Sequence, residues 1–158
     1  MPLVDGSAWA LLRELDDPVH LEFPRDYDHG VERARFERLV VGLARRFGCA
    51  CAVDRNVQDA SHHGDVGVPA GATAGGEPIT VRVSNFGGMA VVSLGLPGGG
   101  DEREEPALFD GGDRRAVEEE LGVLGYRVIP RRLLRERYDG VVPFPGGATW
   151  WIRFFDYL

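Results

Sequence analysis

Residues 79–94 read ITVRVSNFGGMAVVSL, and they are the clearest structural unit in the chain. Ile79, Val81 and Val83 alternate with Thr80, Arg82 and Ser84. A period of two is the mark of a strand with one apolar face. Asn85 to Gly88 supply turn chemistry, and MAVVSL returns over 89–94. The unit is predicted to be a β-hairpin. The polar positions of its first strand predict one solvated face, the habit of antiparallel sheets.

Towards the N-terminus, PAGATAGGEP (69–78) is small, Gly-rich and without periodicity, so it is predicted as loop. VQDASHHGDVGVP (57–69), interrupted by Gly64, and CACAVD (49–54) are predicted strands. Between Val31 and Phe47, residues Phe36, Val40, Leu43 and Phe47 form one helical stripe, and Gly48 stands where a helix ends. SAWALLRELD (7–16) predicts a short helix with Ser7 as N-cap, stopped by Asp17-Pro18. HLEFP (20–24) predicts a brief extended piece.

On the C-terminal side, GLPGGGDEREEPALFD (95–110) predicts a flexible acidic surface loop. A helix is expected from Asp110 or Asp113, lined by Val117, Leu121 and Leu124 and ended by Gly125. YRVIP (126–130) predicts a short strand, and Pro130 opens a short helix through RRLLRE. In ATWWIRFFDYL, Trp150, Ile152 and Phe154 alternate with Trp151, Arg153 and Phe155, which predicts a final strand apolar on nearly both faces. The expected fold is a single α+β domain over 1–158. It has a mostly antiparallel sheet of five or six strands, with two main helices packed on one face.

The composition limits the function classes. With 158 residues and 44% hydrophobic content, one core forms without a disulfide or structural metal. No run reaches the roughly 18 apolar residues of a spanning helix. The acidic opening, MPLVDGSAWALLRELDD, lacks the basic region of a secretion signal. Cys49 and Cys51, the two cysteines, are expected to be buried thiols in a reducing, cytoplasmic setting. The net charge is −7, and every basic residue is arginine. Such a chain repels phosphate backbones, so neither nucleic acid nor membrane is an expected partner.

The most chemical-looking stretch is QDASHHGD (58–65). In an extended chain Asp59, Ser61 and His63 share a face and His62 takes the other. Asp59 and His63 then offer two ligands, whereas zinc takes three or four. One expectation is therefore a small metal-dependent hydrolase centred on Asp59, His62, His63 and Asp65, completed by His20, His29 or a carboxylate. No GxSxG, HExxH or GxGxxG pattern occurs, and without lysine there is no Walker loop. No cofactor is expected, and no catalytic residue stands out.

The leading expectation is a non-enzymatic protein that binds another, basic protein through an acidic face. Asp26, Asp28, Asp59, Asp65, Asp101, Glu102, Glu104 and Glu105 would form its rim, with Trp151 and Tyr157 as apolar anchors. In size, charge and fold style the chain resembles the small immunity proteins that neutralise bacterial toxins, a likeness of general character that involves no motif. A homodimer pairing through the aromatic tail is the third class.

Overall fold

The computed structural model describes residues 1–99 and 105–156. Asp101, Glu102, Glu104 and Tyr157 lie outside the described residues. The chain opens with α1 (Asp5–Leu15) and α2 (His29–Phe47), followed by β1 (Ala52–Asp54), β2 (His62–Val68), β3 (Ile79–Ser84) and β4 (Met89–Leu94). Then come α3 (Glu105–Leu108), α4 (Gly111–Val123), β5 (Arg127–Val128), α5 (Arg131–Leu134) and a π-helical turn, Ile152–Asp156.

These strands form one sheet in the order β1-β2-β3-β4-β5. The hairpin expected over 79–94 is its centre: β3 and β4 pair antiparallel, with Val81 opposite Val92. On its other side β3 pairs antiparallel with β2, Val66 opposite Val81, and the register shifts between His62 and Gly64. β5 joins β4 in parallel, Ala90 opposite Val128. A parallel neighbour needs a crossover, and α4 supplies it between β4 and β5.

The helices correct the expected architecture. The fold is α+β, but its sheet is mixed, and among the described residues it is accompanied by five α-helices rather than two main ones. They cover both faces. Phe36, Leu39 and Leu43 of α2 and Val117 and Leu121 of α4 pack with Val66, Val68, Ile79, Val81, Val83, Ala90 and Val92. On the opposite face, Leu11 and Leu12 of α1, Leu133 and Leu134 of α5, and Trp150, Phe154 and Phe155 pack with Met89 and Val91. The physical reason lies in β4, whose side chains are apolar to both sides and so require cover on both. The polar side of β3 is covered too. Arg82 ion-pairs Asp65 at 2.8 Å and donates to the Phe155 carbonyl at 3.0 Å.

The tail is the second correction. In place of the expected strand, residues 150–156 are helical. Trp150 stacks on Phe154 at 6.1 Å and Trp151 on Phe155 at 5.2 Å, both four residues apart. A short run that is apolar at nearly every position satisfies periods of two and of about 3.6 equally. Other local expectations shift less. α1 begins at Asp5, so Ser7 lies inside it and does not cap it. No strand forms over 20–24 or 49–51. Gly48 closes α2 with φ 64°, the left-handed conformation that glycine adopts without strain.

One buried ion pair ties the two ends of the chain. Arg153 has no exposed surface, and its Nε donates to Asp16 Oδ1 at 2.7 Å. Its remaining nitrogens donate to the carbonyls of Asp17, His20 and Leu21 at 3.0–3.2 Å. Tyr138 and the Val141 amide donate to the same carboxylate. The guanidinium also lies over the Phe86 and Phe154 rings. This arrangement fixes the chain between α1 and α2, which forms one wall of the site below.

Candidate functional site: an acidic-rimmed cleft

At the end of the sheet where β3 turns into β4, a cleft of about 540 Å³ opens. The end of α1 and the 17–28 segment form one wall, the first turns of α2 another, and the 85–88 turn with Gly125 and Arg127 the floor. Gly87 and Gly88 adopt φ of 59° and 63°. A Cβ on Gly87 would meet Leu15 at 2.5 Å, and one on Gly88 would meet Arg35 at 3.1 Å. The glycine pair therefore lets α1 and α2 close around the turn.

The lining carries Glu14, Asp17, Asp26, Asp28 and Glu32 against Arg25, Arg35 and Arg127, so carboxylates outnumber guanidiniums. Glu32 is neutralised by Arg35 at 2.7 Å, and that guanidinium lies over the Tyr126 ring at 4.5 Å. Asp28 caps α2, accepting from the Val31 amide at 3.1 Å. The Val19 amide, then His20, hold the Asp17 carboxyl below the usual carboxylate range. Glu14 and Asp26 are exposed and make no ion pair among the described residues. Beside these charges stand exposed apolar side chains: Val31 is 59% and Phe23 44% accessible. Phe23 stacks on Tyr27 at 4.7 Å.

Tyr27 joins the cleft to a polar cluster. Its hydroxyl lies 3.3 Å from Asn85 Oδ1, 3.2 Å from His63 Nδ1 and 3.4 Å from His29 Nδ1. Burial and the negative charge of Glu32 push the phenol up to about 12, so it keeps its proton. Asn85 is buried and donates to the Glu22 carbonyl at 3.0 Å, holding the same segment. His63 packs edge-on against Phe36 at 5.1 Å. Burial, then the neighbouring His29, lower its pKa.

Those residues singled out from sequence that are described lie on several different elements. Asp26 and Asp28 sit together at the cleft. Asp59 is exposed, with φ 53°, in the bend before β2. Asp65 is on the other sheet face, paired with Arg82. Trp151 is near that pair, its ring under the Arg82 guanidinium at 5.5 Å. Glu105 is buried and bridges Arg114 at 3.1 Å and Arg131 at 2.5 Å. His62 and His63 diverge: His62 faces Arg82, Asp65 and Asp156, and His63 faces α2. Burial, then Arg82, lower the His62 pKa. Among the described residues no three His, Cys, Asp or Glu side chains converge to hold a metal ion. The geometry expected of a metal-dependent hydrolase at 59–65 is therefore not formed.

Tyr27, Asn85, Phe23 and Val31 do not stand out in the sequence. The one local signal is DYDHGVE (26–32), where a capping aspartate opens a helix beside a tyrosine and a histidine. Fold and site together define an α+β protein with a preformed, acidic-rimmed cleft. No family model, curated protein or solved structure matches the chain. Among the described residues no helix is long and apolar enough to cross a membrane.

Proposed function

We propose that the protein works by binding another protein, in the manner of an inhibitor or immunity protein, with this cleft receiving basic side chains of the partner. The observation that carries the reading is that uncompensated carboxylates, Glu14 and Asp26, share the cleft lining with the exposed Val31, while the exposed Phe23 flanks it, stacked on the lining residue Tyr27. Apolar anchors ringed by charge are the usual anatomy of a specific interface. The carboxylates would steer a basic partner, and the apolar pair would hold it. The free thiols of Cys49 and Cys51 support a reducing, cytoplasmic setting for that encounter.

The test is affinity capture of the tagged protein from its native lysate with salt-graded elution, in parallel with Asp26→Asn and Phe23→Ser. The expected result is one stoichiometric basic partner, released by salt from the wild type. Asp26→Asn should release it at lower salt, and Phe23→Ser should fail to retain it. A partner retained equally by all three proteins would remove the cleft from the interface. An empty capture would count against the binding role itself.

A further inference from the structure

The segment between Glu22 and Asp28 is held at both ends but lightly in between. Arg153 fixes the carbonyls of residues 17, 20 and 21, and Asp28 is fixed as the cap of α2. Between them the side-chain tethers are Asn85 to the Glu22 carbonyl and the Tyr27 hydroxyl on Asn85, His63 and His29. Phe23, Arg25 and Asp26 face solvent. A half-buried imidazole thus lies under the middle of the wall that carries Asp26.

We propose that Tyr27, His29 and His63 form a proton-operated latch: it holds the 22–28 wall closed while His63 is neutral and releases it when His63 takes up a proton. Closed, His63 lies between the Phe36 ring and the Tyr27 hydroxyl, with the His29 ring 5.8 Å away. A charge placed there loses hydration and faces a second basic ring. Swinging Tyr27 outward gives the imidazolium water.

The surrounding charges do not reverse this preference. From α2, Glu32 and Glu37 face His63, but Glu32 is paired with Arg35 at 2.7 Å and Glu37 with Arg55 at 2.5 Å. Arg33 adds further positive charge near Glu37. From the 22–28 segment and the end of β3 the neighbours are the uncharged Tyr27 and Asn85; the Asn85 side chain favours the imidazolium by a hydrogen bond, but by less than burial and His29 oppose it. With its pKa lowered by burial and by His29, His63 is neutral above about 6.5. Acid therefore opens the wall. Only the consequence for a partner, weaker binding at acid pH, rests on the cleft being the binding face.

The test follows amide hydrogen exchange over 22–28 from pH 7.5 to 5, corrected for intrinsic chemistry, with β3 and β4 amides as the folding control. In the wild type, opening of 22–28 should rise by up to about tenfold per pH unit below about pH 6.5, the slope of one proton. His63→Gln should keep closure at neutral pH and lose the slope. Tyr27→Phe should expose the segment at neutral pH and move the His63 imidazole titration, followed by NMR, up towards the ordinary histidine value. A flat wild-type profile, a slope that survives in His63→Gln, or an unmoved His63 titration in Tyr27→Phe would each overturn the latch. None of these readings uses a partner, so the latch and the binding role fail separately.

Discussion

Asp16 receives Arg153, Tyr138 and the Val141 amide, and of these the guanidinium supplies the opposing charge. Arg153→Met should lower unfolding stability by about 3–5 kcal/mol, because a buried carboxylate is left without its counter-charge. Urea unfolding measures this. The double variant Asp16→Leu/Arg153→Met should recover part of the loss, and no recovery would show that the pair is not the cause. Gly64 is a second sensitive position. A Cβ there would meet the Asp54 carbonyl at 2.5 Å and Phe36 at 2.9 Å, so Gly64→Ala should cost about 1–3 kcal/mol. The two histidines of β2 add a pH dependence to stability. Burial lowers both pKa values, so the folded protein binds fewer protons than the unfolded chain. Their contribution is complete above about pH 6.5 and is lost as pH falls towards the lowered folded values. The urea midpoint should therefore drop between pH 7 and pH 5, and His62→Gln should flatten part of that drop. An equal drop in His62→Gln would assign the effect elsewhere.

Among the elements, α2 is the most legible in the sequence and forms one wall of the site. Its stripe of Phe36, Leu43 and neighbouring apolar residues declares itself because 19 residues give a helical period room to repeat. Its cap separates structure from charge. Asp28→Ala should lower stability by about 1 kcal/mol through the lost bond to the Val31 amide, while Asp28→Asn keeps the cap and removes only the charge. Thermal unfolding should therefore rank wild type and Asp28→Asn together, above Asp28→Ala. Equal melting of all three would mean the cap contributes nothing. Short elements are less legible. β5 has two residues and the final turn five, fewer than a period needs to declare itself. The WWIRFF run reads as two-fold alternation because nothing local opposes it. The i,i+4 ring stacks and the partner waiting for Arg153 decide for a helix.

Across the molecule, a sheet covered on both faces leaves its ends as the places where loops can build a site. The cleft forms at one such end because the 85–88 turn, the 17–28 segment and the head of α2 meet there. The aromatic tail is not available for pairing as a strand, since Trp150, Phe154 and Phe155 are fully buried within the chain. A size-exclusion mass near 17.3 kDa is expected. A mass of twice that value would show self-association, and loss of the dimer in Phe23→Ser would then place the contact at the exposed Phe23.

The α+β class, the central hairpin, the long helix with its glycine stop and the helix expected from Asp110 or Asp113, which Asp110 caps, are all legible along the chain. Each is written in periodicity or in the chemistry of a turn or cap, which act over a few bonds. The parting of His62 from His63 follows from strand alternation and is legible in the sequence too. Long-range packing alone places helices on both faces and brings β5 in parallel. It also sets Tyr27 onto Asn85 and His63, 58 and 36 residues away. These outcomes depend on which surfaces meet after the chain has folded back, and a run of residues does not carry that information.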